Sequence, residues 1–353
     1  MAPGGRRLSR TPTTSEAAAA IRNEAGVAIV ARRRPRWLRA AELAALVAVL
    51  AFAAAYLARH GAELRSHAWH ADPASLAASA AAGGLALVVF GLLWVALLRQ
   101  TVPGTPVGEA FRVWAVSNLA RYVPGKVWQV SGLAWLAHRS GIPAGRAVAT
   151  SLVLQGLALV TGVLLLAATL RGRLAEALGG TAEVALVAVA AGGLALYLSP
   201  VFDALETGAS RLLGAAAAPP RLGAARKLAF GAGTLAGWTL YGASFWFLLD
   251  GVARADVGPA TATGTFLAGY LAGFLAIFAP GGLGVREAVT AVLLAPHLSG
   301  PVALTAALLS RVVLTAMELV VAGVSWLASG REGGARGAGR PAGSAARRWG
   351  GTR

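Results

Sequence analysis

The chain has no cysteine. That excludes a disulfide framework, a thiol nucleophile and a cysteine-ligated metal. Charge is also sparse: 13% of its 353 residues are charged, where a soluble domain carries about 25%. Acidic side chains are the scarcest, 15 against 32 basic ones. No Ser/His/Asp triad or paired-carboxylate arrangement stands out, so no enzymatic activity and no cofactor are expected of the chain itself. His67, His70 and Asp72 share one short polar loop and do not read as a metal site. Lysine occurs only twice, at Lys126 and Lys227.

What remains is apolar: 56% of residues are hydrophobic and the mean hydropathy is +0.63. Runs long enough to span a bilayer lie near 38–58, 76–98, 146–170, 182–199, 227–249 and 301–328, since a span needs about 20 residues. Two further segments, 108–138 and 260–298, are apolar but broken by Pro-Gly. The expected fold is an all-α, polytopic transmembrane bundle. It has about six full spans plus two broken or re-entrant hairpins. Each broken segment precedes a long helix opened near a proline, Pro143 or Pro301, and each carries a base soon after its Pro-Gly. This reads as a weak inverted repeat with interrupted helices, the usual sequence pointer to a transport site.

The first 39 residues hold nine arginines against two glutamates, and Gly330 onward six against one. By the positive-inside rule both termini face the cytoplasm. The loop near 200–227, with Arg211, Arg221, Arg226 and Lys227, is expected on the same side. Residues 1–36 and 331–353 read as disordered basic tails around a membrane domain, 37–330. The basic surplus flanks hydrophobic spans, which points to an anionic membrane surface and not to nucleic acid.

The candidate site lies at the two breaks. Pro124-Gly125 sits between Arg121 and Lys126, and Pro280-Gly281-Gly282 precedes Gly284, Arg286 and Glu287. Proline removes a backbone donor, and the groups freed in hydrocarbon must be satisfied by protein or water. A base at mid-membrane costs about 2.5–3.5 kcal/mol, so it marks a cavity, a partner or an anion. Arg121, Lys126 and Arg286, helped by free N–H groups of Gly281 to Gly284 at a helix head, would hold a phosphate. The competing reading has Arg121 and Lys126 snorkel to an interface. Arg311 and Glu318, seven residues apart with Thr315 between them, share one helix face that should point inward. There Arg311 either pairs with Glu287 or Glu318 or touches substrate. Gln155 sits at a comparable depth and is a candidate to bond across the cavity. Tyr122, Trp128 and Trp135 read as interfacial aromatics, and Tyr122 and Gln129, beside the first break, join the candidate binding set. Gly233/Gly237 and Gly269/Gly273 have the spacing of close helix packing.

At these residues the sequence resembles the transmembrane, flippase-like region of the lysylphosphatidylglycerol synthase family, the membrane half of the multiple peptide resistance factor. The matching stretches are "NLARYVPGKVWQ" (118–129), "GIPAGRAVATSLVLQ" (141–155) and "APGGLGVREAV" (279–289), with Arg311 downstream. The resemblance implies an inner-membrane protein that moves an anionic lipid between leaflets. Full-length relatives add a soluble aminoacyltransferase domain. After residue 330 this chain has only a short Arg/Gly-rich tail, so it is expected to lack that half. A membrane subunit docking a separately encoded transferase is the alternative. One departure stands out: relatives often carry an acidic residue at or just before the position of Gln155, where this chain has Leu154 and Gln155.

Overall fold

A computed structural model gives the architecture. Its described residues are 47, 51, 54–56, 58–122, 127–170, 179–212, 222–276, 279 and 282–338. Pro124, Gly125, Lys126, Pro280 and Gly281 therefore lie outside the described residues, as does most of the first expected span, 38–58.

Eleven α-helices follow in order among the described residues. They are α1 (Gly61–Ser66), α2 (Pro73–Arg99), α3 (Val107–Asn118), α4 (Val127–Arg139), α5 (Ala144–Thr169), α6 (Gly180–Leu198), α7 (Pro200–Leu212), α8 (Ala224–Ala253), α9 (Pro259–Leu275), α10 (Val285–Leu294) and α11 (Gly300–Ala338). A 3₁₀ turn, Leu119–Tyr122, extends α3. Among the described residues, three helices are long and apolar enough to cross a bilayer: α2, α5 and residues Gly300–Ala328 of α11. The protein is an all-helical, multi-pass membrane bundle.

Helix boundaries follow local chemistry. Asp72 caps α2, its carboxylate accepting from the Ser75 N–H at 2.9 Å, with Pro73 in the first turn where no donor is needed. Pro143 caps α5 and Pro259 opens α9. α2 and α8 approach closely because a Cβ at Gly233 would lie 2.6 Å from Leu93, and one at Gly237 would lie 2.6 Å from Phe90. The small-residue spacing read from the sequence thus serves helix packing. A reciprocal serine pair reinforces it: Ser79 Oγ donates to the Ser244 carbonyl and Ser244 Oγ to the Ser79 carbonyl, both at 2.8 Å.

The two broken segments are antiparallel helical hairpins. In the first, α3 runs in and α4 runs back: Gln129 faces Asn118 near the tip and Ser140 faces Arg112 near the mouth. In the second, Gly273 packs on Gly282 near the tip of α9/α10, and Gly269 packs on Arg286 and Thr290. With 12, 13, 17 and 10 residues, the four legs are about 15–26 Å long, short of a hydrocarbon core of about 30 Å.

The hairpins open at opposite ends of the bundle. The first opens at the end where Arg226 Nη1 donates to Gln100 Oε1 at 2.8 Å. The second opens where Ser75 Oγ donates to Asp250 Oδ2 at 2.8 Å and the His70 N–H to the Val252 carbonyl at 2.9 Å. One expectation is corrected here. The stretch near 200–227 is not a plain loop: it contains α7, and Lys227 is buried in the first turn of α8. Charge counting saw the lysine but not the carboxylate and carbonyls that receive it.

Candidate functional site

Both hairpin tips rest on one stripe of α11. Arg311, Thr315 and Glu318 recur at helical spacing and share a face. At the second tip, Glu287 in the first turn of α10 accepts from Arg311 Nη1 through Oε1 at 2.9 Å. At the first tip, Arg121 Nη1 lies 3.2 Å from Glu318 Oε1. The two ion pairs are seven residues apart on α11, about 10 Å along its axis. The inward orientation expected for Arg311 and its pairing with Glu287 are both seen; Glu318 pairs instead with Arg121, on the first hairpin. A snorkelling Arg121 would not meet a carboxylate that is 8% exposed.

The helix head at the second tip is occupied by the chain itself. The Gly284 N–H donates to Glu287 Oε2 at 2.7 Å, and the Gly282 N–H to the Ala279 carbonyl at 2.9 Å. The expectation that these two amides stand free for a phosphate is thereby corrected. A glutamate three residues into a helix folds back onto the amide before it, and this one does so while holding Arg311. Gly282 is required by geometry: its φ is +69° and a Cβ there would sit 2.6 Å from the Gly273 Cα.

Arg286 is different. It makes no ion pair among the described residues, and its Nη2 is enclosed without a hydrogen-bond partner. Its guanidinium carbon lies 4.8 Å from the centre of the Phe266 ring and 5.8 Å from that of Tyr270, a favourable cation–π arrangement. The aromatic wall extends through Tyr241, which stacks on Phe266 at 5.6 Å, and Trp238, which meets Tyr270 edge-on at 4.8 Å. Trp238 is anchored by donating to the Ala158 carbonyl at 2.8 Å. Glu318 and Arg311, on one face of α11, receive the two tips and join them into one cluster. Among the described residues its formal charge is set by three arginines and two glutamates, leaving it cationic.

Other candidates divide. Gln129 donates to Asn118 Oδ1 at 3.2 Å, and Arg121 Nε to the Asn118 carbonyl at 3.1 Å, so both brace the first tip. Tyr122 belongs to the 3₁₀ turn at that tip. Gln155 is half-buried on α5, and no hydrogen bond among the described residues joins it to the cluster. Sequence reasoning missed Asn118, whose Nδ2 is enclosed without a partner, and the aromatics Tyr241, Phe266 and Tyr270. Asn118 stood at the head of the first motif. Trp238, Tyr241 and Phe245 recur at helical spacing on α8, a stripe that marks an aromatic face without saying what it meets.

Residues 29–322 match the family described as lysylphosphatidylglycerol synthase TM region. The chain belongs to that family. No curated protein matches it at a significant level. Membership makes this a membrane protein of lipid-related function, and the matched region is the family's membrane part and not a catalytic domain.

Proposed function

We propose that the protein is a flippase or scramblase that carries an anionic phospholipid between leaflets, with the headgroup phosphate received at Arg286. The observation that carries this is the enclosed Arg286 Nη2, an N–H donor with no acceptor among the described residues. A buried charged donor left unsatisfied is costly, and a phosphate oxygen is the strongest acceptor a lipid offers. Glu287 and Glu318 neutralise Arg311 and Arg121 in the meantime, holding the tips together around the vacant donor. Lys126, Pro124, Gly125, Pro280 and Gly281 complete the tips in this reading, with Gln129 and Tyr122 on the first. No nucleotide-binding motif is read in the sequence, so the drive is the lipid gradient or the membrane potential.

Orientation follows from the charge at the two ends. Arg99, Arg112, Arg139, Arg146, Arg226 and Lys227 lie at one end with Glu109 and Asp203, while Arg59, Arg65 and Arg254 share the other with Glu63, Asp72, Asp250 and Asp256. The first end then faces the cytoplasm, as do both termini, in the inner (plasma) membrane. Residues 37–330 form the transporting unit between two basic tails.

The test is leaflet reporting of a fluorescent anionic lipid in proteoliposomes. Arg286→Ala is expected to slow transfer at least tenfold, Arg286→Lys to retain part of it, and Lys126→Ala to slow it less. Folding is checked by thermal melting. Transfer unchanged in well-folded Arg286→Ala protein overturns the reading. If transfer depends instead on an added transferase that co-purifies through the tails, the chain is a docking subunit.

A further inference from the structure

Lys227 sits outside the cluster and binds nothing there. It is 4% exposed, and its Nζ lies 3.0 Å from Asp203 Oδ1, 3.0 Å from the Tyr197 carbonyl and 3.4 Å from the Ser199 carbonyl. The rings of Tyr197 and Phe202 face it at 5.6 and 5.8 Å, and the Tyr197 hydroxyl donates back to the Lys227 carbonyl at 3.0 Å. All three ammonium donors have acceptors, two of them the carbonyls of Tyr197 and of Ser199, the residue that caps the C-terminal end of α6, where a cation is favoured. Lys227 is a pin across the corner where α6 stops at Leu198 and α7 restarts at Pro200.

The pin fixes the rotation of α7. With Phe202 and Asp203 turned inward, Val201, Ala204 and Leu205 share the outer face, at i, i+3 and i+4. Val201 is 55% and Leu205 56% exposed. On the preceding helix, Leu194 and Leu198, one turn apart, are also exposed. The 13 residues of α7 reach about 20 Å, too short to cross. Exposed Arg99, Arg139 and Arg226 lie at the same end of the bundle.

We propose that α7 is an in-plane helix seated at the headgroup–acyl boundary of an anionic leaflet. Val201, Ala204 and Leu205 lie against acyl chains, and the surrounding arginines meet the headgroups. A short helix with an apolar outer face beside cationic side chains is the signature of interfacial binding. Anionic lipid supplies the complementary charge. This inference stands independently of lipid transfer.

The absence of cysteine allows a direct test. Single cysteines replacing Val201, Leu205 and Arg226 carry nitroxide labels in vesicles of phosphatidylcholine, with or without phosphatidylglycerol. Labels at 201 and 205 are expected to favour collisions with oxygen over a water-soluble nickel complex, and the label at 226 the reverse. The oxygen preference should grow when phosphatidylglycerol is present. Lys227→Met should broaden the environment at 205, and Lys227→Arg should restore part of the order. Nickel preference at 201 and 205 in both vesicles overturns the proposal. Equal depth with and without phosphatidylglycerol overturns its anionic part. The wild-type-background labels decide both points even where Lys227→Met fails to fold.

Discussion

The two hairpins share a plan and differ in how they are held. The second is packed backbone to backbone: Gly269, Gly273 and Gly282 leave no room for a Cβ without a shift, and Glu287 ties α10 to its own first turn and to α11 at once. The first is held by side chains. Gln129 braces Asn118, and Arg121 reaches Glu318 with 31% of its own side chain still exposed. Between its own described legs the glycine contact is ordinary, with a Cβ at Gly132 falling 3.4 Å from the Ala120 Cβ, and its tight glycine contact is with α2, where a Cβ at Gly91 would meet Phe111 and Trp114. Rigid packing suits a fixed part, and longer, more exposed contacts suit a part that moves. In the proposed transport reading the second hairpin would then present Arg286, and the first would be the half that yields to a lipid.

The glycines should separate the hairpins most sharply. Gly282→Ala forces a Cβ into the Gly273 backbone at a left-handed φ, and overpacking of this kind costs about 1–3 kcal/mol with backbone strain of similar size added. A large loss of melting temperature in detergent is expected, together with loss of lipid transfer. Gly132→Ala in the first hairpin should leave melting almost unchanged. Equal effects at the two glycines would remove the distinction between a packed hairpin and a loose one.

The carboxylates come next. Glu287→Gln withdraws charge from Arg311 and weakens the hold on the Gly284 amide, and breaking a buried pair from one side costs about 3–5 kcal/mol. Glu318→Gln should cost less, because the Arg121 side chain is 31% exposed. It should instead widen the distance between the first tip and α11. Spin labels on cysteines replacing Leu119 and Thr315 would report this as a broader distance distribution, with little loss of melting temperature. A larger stability loss at Glu318 than at Glu287 would reverse the assignment of the fixed and moving halves.

Much of this was legible in the chain. The apolar runs marked α2, α5 and α11, and the Pro-Gly breaks marked both hairpins, because hydrocarbon leaves the backbone few choices. The seven-residue spacing of Arg311 and Glu318 announced an inward stripe. Which acid meets which base was not legible: Glu318 reaches a hairpin almost two hundred positions earlier in the chain, and no periodicity encodes that register. The glycine amides were misread for a related reason. A Pro-Gly-Gly run signals open backbone, and only the fold reveals that Glu287 closes back on it. Lys227 was read as a loop charge since its acceptors, two carbonyls and Asp203, leave no trace in hydropathy.

The smallest expected effect is also the one most specific to the first hairpin. Gln129→Leu removes the hydrogen bond to Asn118 Oδ1 and leaves both polar groups of that amide without the brace, a net cost of about 1 kcal/mol. Melting should shift by only a few degrees. If the first tip is the moving part, the same change also lowers the energy needed to swing it from α11, so lipid transfer should hold steady or rise slightly while stability falls. Transfer falling in proportion to stability would mean that Gln129 serves the folded bundle alone, and that the two hairpins differ in packing but not in motion.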